Sequence, residues 1–477
     1  MNKIIPYRPG ISHFVARLYA LPVLILMIWD FVPRFFQGDS VSYLSTRIGQ
    51  WMPPDRSWEF GLFVNFLLRH THGLSAFMLL QIGVLVVLVE GMRILFPCGR
   101  AGLMAWGLAG LFVALDPLIE IYTRFYMSDF LAMAFFLIAT GGIVLALHLG
   151  LRAGNGWLAA ALILFGILGA VFFRVAYAPI GLLSAVFAAL LMVRRLTRRH
   201  WMILALAAIV PVLAVGAVAS ANRLMFAQRF PGEVFVTKLS GVFLAGVFAP
   251  VLTEADFRHA GIPITPQEFE KLDLADYGKR VTQVWGTEHS DLQQLIKDNL
   301  HITGDYNAAI DKAASRLIMS ALKRDPLGFA KVYLVGLIDF ARPAEWQRQL
   351  PGEMGLTRTL PDYFITRVNQ YSVLKITPDI TTIRSALIRA YEAVAWLYPF
   401  QLLLGFLAGL FLLIRLGPKP EVAVPFAAFC ADVASAPLYE NYLIARYILV
   451  AIFLGYVLFA MGMLALLTPR ERNGEQP

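Results

Sequence analysis

The sequence predicts an all-α polytopic membrane protein. Of its 477 residues, 58% are hydrophobic and only 15% are charged, whereas about a quarter of the residues in a soluble domain are charged. The mean hydropathy is +0.64, and apolar runs recur that approach the roughly 20 residues a helix needs to cross a bilayer. The runs are continuously apolar, without the alternation typical of a transmembrane β-barrel, so the expected spans are helices.

The apolar runs define about ten membrane-spanning helices. The predicted spans, in chain order, are 18–36, 75–95, 101–119, 128–149, 156–173, 178–193, 201–221, 386–413, 422–433 and 443–467. The segment 327–340 is apolar enough for an eleventh span, but Lys331 and Asp339 favour an interfacial or re-entrant helix. The segment 239–252 is ambiguous in the same way.

These spans divide the chain into three parts. We expect an N-terminal transmembrane module over 1–221 with a first outer loop at 37–73, and a polar outer region with interfacial helices over 222–385. The C-terminal transmembrane helices and a short cytoplasmic tail follow over 386–477. The basic N-terminus before the first apolar run imitates a signal peptide. Because no small-residue cleavage site follows the run, we interpret it as a retained signal anchor.

Loop charges predict the orientation. Short cytoplasmic loops are rich in Lys and Arg, and the strongest basic loop, between two spans, contains Arg194, Arg195, Arg198 and Arg199. Counting helices from that loop places the other short basic loops on the same side. The longer first loop, which contains three arginines, is the exception and falls outside. We therefore expect a multi-pass protein of the inner-membrane type, with its short basic loops on the cytoplasmic side.

Charge and motif content exclude several functions. The net charge of +9 is explained by basic cytoplasmic loops, and no basic patch interleaved with aromatic residues indicates a nucleic-acid partner. Cys98 and Cys430 have no spacing typical of disulfides or metal sites. No Walker loop and no Gly-x-Gly-x-x-Gly follows a strand, so we expect no cofactor and no metal.

Ionisable residues near membrane depth are functional candidates because their desolvation is costly. On the predicted outer side they are Asp39, Arg56, Glu59, Tyr122, Arg124, Asp129, Arg174, Glu440 and Arg446. A guanidinium fork matches phosphate oxygens, and a carboxylate beside it can act as a general base toward a hydroxyl. Snorkelling explains Arg174 and Arg446 equally well when each is taken alone, and Asp39 alone is also explained as a helix cap.

The order of these features resembles the GT-C glycosyltransferases, in particular the bacterial branch of protein mannosyltransferases and aminoarabinose transferases. The residues that carry the resemblance are Gly38-Asp39-Ser40, Tyr43-Leu44, Arg56, Gln81, Asp116-Pro117, Ser128-Asp129, Phe173-Arg174 and Arg446-Tyr447. The resemblance covers roughly the first 200 residues and, more loosely, the final helix. The chain departs from the family at Glu59-Phe60-Gly61, where a Tyr-Pro pair is usual, and at Asp129, where Glu is frequent.

The resemblance implies transfer of a sugar from a polyprenyl-phosphate donor to a lipid, glycan or protein acceptor. The reaction would take place on the outer face of the bacterial inner membrane, among membrane lipids, with the active side facing the periplasm or exterior. Asp39 would be the base or would orient the acceptor, and Arg174 and Arg446 would hold the donor phosphate. The other candidates would contact the donor or acceptor.

Three alternatives stay open at this point. A transporter or flippase of lipid-linked sugars usually has inverted repeats and interrupted helices, and the sequence has no internal repeat. An outer-face oligosaccharide polymerase or ligase would share the donor type, and a structural membrane subunit would have no active site. A single cavity shared by Asp39, Arg174 and Arg446 would favour a transferase.

Overall fold

The computed structural model describes residues 11–48, 50–71, 73–149, 156–272, 274, 291–303, 306–439 and 443–468. Within these ranges the chain is helical, and its β structure is limited to an isolated bridge between Arg34 and Phe125.

The described α-helices are numbered in chain order. The first eleven are α1 (Ile11–Ala16), α2 (Ala20–Trp29), α3 (Gln37–Ser45), α4 (Trp58–His70), α5 (Leu74–Gly91), α6 (Arg100–Leu115), α7 (Pro117–Tyr122), α8 (Asp129–Leu149), α9 (Gly156–Phe173), α10 (Tyr177–Met192) and α11 (Arg198–Met225). The next eight are α12 (Ser240–Val247), α13 (Glu254–His259), α14 (Pro266–Leu272), α15 (Asp291–Asn299), α16 (Ala308–Arg324), α17 (Pro326–Asp339), α18 (Pro343–Glu353) and α19 (Asp362–Tyr371). The last four are α20 (Ala386–Val394), α21 (Tyr398–Leu416), α22 (Pro420–Ser435) and α23 (Leu449–Leu467).

The predicted class, an all-α polytopic membrane protein, is confirmed. In the described residues, eight helical segments are long and apolar enough to cross a membrane: Leu74–Leu95, Asp129–Leu149, Gly156–Phe173, Tyr177–Arg195, Arg198–Met225, Pro378–Leu416, Pro420–Leu438 and Ala445–Leu467. Two shorter apolar helices, α2 and α6, lie in the remaining predicted spans. The predicted number of about ten agrees with this set.

The first predicted span is shorter than expected. The prediction of a helix over 18–36 is wrong beyond Trp29, where α2 ends. Pro33 lacks the amide hydrogen that a helix interior needs and clashes with the carbonyl four residues earlier. From Asp30 to Phe36 the chain is not helical. Its Arg34 amide donates to the Arg124 carbonyl at 2.9 Å, and the Tyr126 amide donates to the Arg34 carbonyl at 3.0 Å.

The two ambiguous segments are short helices. They are α12, with 8 residues, and α17, with 14 residues. At about 1.5 Å per residue, their lengths of roughly 12 and 21 Å fall short of the roughly 30 Å hydrocarbon core. Neither segment can therefore cross the membrane as a single helix.

The region predicted as a polar outer stretch is divided between two cores. Buried apolar residues among those described between Val242 and Val332 form a separate hydrophobic cluster. Within it, α16 buries Ile310, Ala313, Ala314, Leu317 and Ala321, which is the spacing of an amphipathic helix. From Phe340 onward the chain belongs to the main core of the membrane helices, through residues such as Trp346.

Close packing of α8 against α9 positions part of the site. A Cβ atom at Gly166 would lie 2.5 Å from the Phe135 carbonyl oxygen, so the two helices approach closer than a larger residue would allow. Successive helices joined by a short connection run antiparallel. The start of α8, at Asp129, therefore lies beside the end of α9, where Arg174 follows.

Candidate active site

Asp39 lies in the first turn of α3, where the helix dipole favours a negative charge. Its two carboxylate oxygens are held by different arginines. Arg56 Nη1 donates to Oδ1 at 2.5 Å, and Arg446 Nη1 donates to Oδ2 at 2.9 Å. Arg56 also donates to Asp55 Oδ2 at 2.7 Å, so it bridges two carboxylates of the first loop.

The charges around Asp39 determine its ionisation. Burial opposes the charged form, but the positive charges of Arg56, Arg446 and Arg174 outweigh that effect and lower the pKa of Asp39 below its ordinary value. Asp39 is thus an ionised carboxylate at neutral pH that has hydrogen-bond acceptors but no proton to give.

Arg174 enters the same site from the end of α9. It forms an ion pair with Asp129, the first residue of α8, whose side chain is only 1% exposed. Its guanidinium carbon lies 4.3 Å from the centre of the Tyr447 ring, a cation–π geometry. Asp129 and Arg174, both candidates from the sequence, are therefore in direct contact.

One cavity of about 390 Å³ brings Asp39, Arg56, Arg174 and Arg446 together, whereas Asp129 is not part of its lining. The charged and polar residues of its lining include Asp39, Asp55, Arg56, Arg174, Lys238 and Arg446. Apolar side chains such as Phe173, Val242 and Phe243 form other parts of the wall. The cavity thus combines cations, carboxylates and an apolar surface at the ends of membrane-spanning helices.

Other predicted site residues lie elsewhere. Arg124 and Glu120 form a fully buried ion pair at 2.8 Å, and Arg124 Nε also donates to the Asp30 carbonyl at 2.8 Å. Neither residue lines the cavity. This pair connects α7 to the segment after α2, so its contacts are those of a structural support.

Tyr122, Glu59 and Glu440 complete the predicted set. The Tyr122 hydroxyl donates to Glu353 Oε1 at 2.9 Å, and Tyr122 lies behind the cavity wall and outside its lining. Glu59, in the first turn of α4, is also absent from the lining, and burial raises its pKa to about 7. Glu440 lies outside the described residues.

Sequence reasoning missed Glu353, which supports the site from α18. Its side chain is buried, and its Oε1 accepts from the Tyr122 hydroxyl and, at 3.2 Å, from the backbone amide of Arg446. Burial raises the pKa of Glu353 to about 7, against the effect of these hydrogen bonds and of Arg446. A signal was available in the sequence, because Glu353 follows Trp346 and Leu350 at the i, i+4, i+7 spacing of one helix face.

Lys238 was also missed. Its amide donates to the Pro54 carbonyl at 2.8 Å, and its ammonium group forms an ion pair with Glu233. The same group lies 4.4 Å from the centre of the Phe230 ring. Lys238 thereby connects the chain after α11 to the first loop and adds a cation to the cavity lining.

The described residues contain no group of three or more His, Cys, Asp or Glu side chains placed to share a metal ion. The arrangement around Asp39 consists instead of paired charges. Such an arrangement can bind an anion through its guanidinium groups and accept a proton at its carboxylates.

Comparison with known proteins gives similarity in structure only. No protein-family model and no curated protein matches the chain. Among solved structures, the chain is similar to the archaeal oligosaccharyltransferase AglB from Archaeoglobus fulgidus, solved with an inhibitory peptide and a dolichol-phosphate. The identity is 12%, the TM-score is 0.44, and the match covers 95% of this chain and 50% of AglB. The chain therefore spans about half the length of that protein.

The chain is also similar to ArnT from Cupriavidus metallidurans. The structure bound to undecaprenyl phosphate has 15% identity and the structure in the apo state 16%; in both, the TM-score is 0.34 and the match covers 96% of this chain and 78% of ArnT. At such identities and TM-scores, the chemistry of this chain has to be inferred from its own residues.

Proposed function

We propose that the chain is a glycosyltransferase that moves a sugar from a polyprenyl-phosphate-linked donor to a lipid, glycan or protein acceptor. The reaction would take place in the cavity around Asp39, on the outer face of the bacterial inner membrane. The observation that carries the proposal is the position of Asp39 between Arg56 and Arg446, with Arg174 in the same cavity.

The lining of the cavity suits a lipid phosphate. Such a donor has an anionic head and an apolar chain, so its site needs cations where apolar helices end. Arg174 follows α9, and Arg446 precedes α23 within the segment Ala445–Leu467. A guanidinium group binds two phosphate oxygens at once and stays charged at any accessible pH, while Phe173 and Val242 offer apolar contact.

The carboxylate of Asp39 suits the acceptor. The acceptor hydroxyl oxygen would form a bond to the anomeric carbon while its proton passes to Asp39. The bond between that carbon and the phosphate oxygen would break, and the polyprenyl phosphate would leave with the bonding electrons. Arg174 and Arg446 would stabilise the charge that develops on the leaving phosphate. Binding of the phosphate by Arg446 would also weaken its hold on Asp39 and make the carboxylate a stronger base.

Turnover by purified protein tests this function. The full-length chain in detergent would receive a panel of radiolabelled undecaprenyl-phosphate sugars, with a crude cell-envelope extract as the source of acceptors. We expect release of undecaprenyl phosphate together with transfer of label. A flippase would bind the donor and form no product, because detergent removes the compartments. Absence of both product and undecaprenyl phosphate binding would overturn the proposal.

A further inference from the structure

A second cavity, of about 490 Å³, lies where α3 ends and along α4. It shares no lining residue with the cavity around Asp39. Its polar lining consists mainly of Arg47, Gln50, Asn65, Arg69 and His70. The proposed transfer reaction uses none of these residues.

The cavity is strongly cationic. Arg47 and Arg69 line it, and Arg367 of α19 reaches Asn65 Oδ1 at 3.5 Å and the Ser45 carbonyl at 3.4 Å. Within the described part of the chain, no ion pair includes any of these three arginines.

The positive charges of Arg47 and Arg69 act on the Arg367 guanidinium. Burial and the positive charges of Arg47 and Arg69 lower the pKa of Arg367, which means that the like charges lie close enough to repel. The Nε of Arg47 is buried and has no hydrogen-bond partner among the described residues. An anion bound here would relieve the repulsion and accept the free donor.

The surroundings indicate that the anion belongs to an amphiphile. Ile48 and Phe66, both in the lining, are 68% and 59% exposed, so the cationic pocket has an apolar rim. Arg69 and His70 lie at the end of α4, a few residues before the membrane-spanning segment Leu74–Leu95. The pocket therefore lies near headgroup depth, on the same side of the membrane as Asp39, since both belong to the connection between α2 and α5.

We propose that this pocket binds the phosphate headgroup of an anionic membrane lipid, with the acyl chains lying over Ile48 and Phe66. Arg47, Arg69 and Arg367 would bind the phosphate oxygens, since guanidinium groups match their geometry. A snorkelling arginine reaches out to the membrane surface by itself. Here Arg47 and Arg69 line the same cavity, and Arg367 donates to Asn65 in its wall. The site does not depend on the proposed sugar transfer.

Lipid binding to the purified full-length chain in detergent tests the proposal. The probes are dioctanoyl phosphatidic acid, dioctanoyl phosphatidylcholine and inorganic phosphate, with binding followed by native mass spectrometry. We expect phosphatidic acid to bind, and Arg69→Gln and Arg367→Gln each to weaken binding by about tenfold or more, because each removes charge-assisted hydrogen bonds. Phosphatidylcholine, whose headgroup has no net charge, should bind far more weakly.

Two controls separate this pocket from other cationic sites. Arg258→Gln removes an exposed arginine that is paired with Glu254 elsewhere, and Arg446→Gln removes a cation of the first cavity. Both variants should retain phosphatidic acid binding at this pocket. Loss in Arg446→Gln with retention in Arg69→Gln would assign the lipid to the first cavity and overturn the proposal.

The remaining outcomes also decide the matter. Displacement of phosphatidic acid by inorganic phosphate at a similar concentration would make the site one for a free anion and overturn its assignment to a lipid. If Arg367→Gln fails to fold, Arg367→Lys replaces it in the test. Lys keeps the positive charge but cannot bind two phosphate oxygens as a guanidinium group does, so lipid binding should still weaken. Unchanged binding in folded Arg69→Gln and Arg367→Lys would refute the site.

Discussion

The guanidinium group of Arg446 donates to the Asp39 carboxylate at 2.9 Å, although the two residues are 407 positions apart in the chain. The contact joins the first turn of α3 to the segment before the last membrane helix. Residues far apart in the chain therefore line the same cavity. In the proposed reaction the same arginine passes from Asp39 to the donor phosphate, so the pair would couple donor binding to the basicity of the carboxylate.

Asp39→Asn should reduce sugar transfer by roughly 100- to 10,000-fold, the usual contribution of a positioned general base. The change keeps the shape of the side chain and removes its charge. The measurement is label transfer from the undecaprenyl-phosphate sugar by purified protein. Asp362→Asn, at an exposed position in the first turn of α19, is the matched control and should keep wild-type turnover. Full activity in a folded Asp39→Asn variant would exclude the base role.

Arg174→Lys should raise the dissociation constant for undecaprenyl phosphate by roughly tenfold to a hundredfold. Lys keeps the charge opposite Asp129 but loses the second phosphate contact. Arg348→Lys, on an exposed arginine paired with Glu345, should leave the constant unchanged. Equal donor affinity in both variants would exclude Arg174 from phosphate binding and leave it only its ion pair with Asp129.

Glu353→Gln should change the pH dependence of stability. Burial raises the folded-state pKa of Glu353 from 4.5 to about 7, so between these values the folded state binds more protons than the unfolded state. Stability from this group is therefore present below about pH 4.5 and is lost as pH rises through about 7. Since Gln does not titrate, we expect the melting temperature of the variant, relative to wild type, to rise between pH 5 and pH 8.

The control for that series is Glu270→Gln, which changes an exposed carboxylate on α14. Its melting temperature should follow wild type across the same pH range. Parallel curves for wild type and Glu353→Gln would show that Glu353 does not titrate there. In the same variant, a higher KM for the donor without a matching fall in kcat would support a role for Glu353 in positioning Arg446.

Cysteine labelling should test the predicted orientation with a native control. Cys98 is exposed and lies in a loop predicted to be cytoplasmic, while Ala308 is exposed at the start of α16 in the predicted outer region. In intact cells, a membrane-impermeant maleimide should label Ala308→Cys and leave Cys98 unlabelled until the membrane is opened. The opposite pattern would invert the topology and move the proposed site to the cytoplasmic side.

The sequence alone was sufficient to predict the class of protein and the approximate positions of most spans. Crossing a bilayer is a property of about 20 consecutive residues, so it can be recognised locally. The end of the first span was predicted wrongly because the apolar residues continue past Trp29 to Phe36, although Pro33 interrupts the helix there. Asp39, Arg174 and Arg446 were recognisable as candidates because ionisable groups stand out at the ends of apolar helices.

Only the tertiary structure decided which candidates meet. Arg124 and Arg174 were both candidates on the predicted outer side. The structure buries Arg124 in an ion pair with Glu120, whereas Arg174 lines the cavity. A linear pattern indicates the side of the membrane on which a residue lies, but the direction of its side chain depends on how the helices pack. Glu353 and Lys238 reach the site through contacts with distant segments, and such contacts leave no periodic signal in the sequence because they are made between residues far apart in the chain.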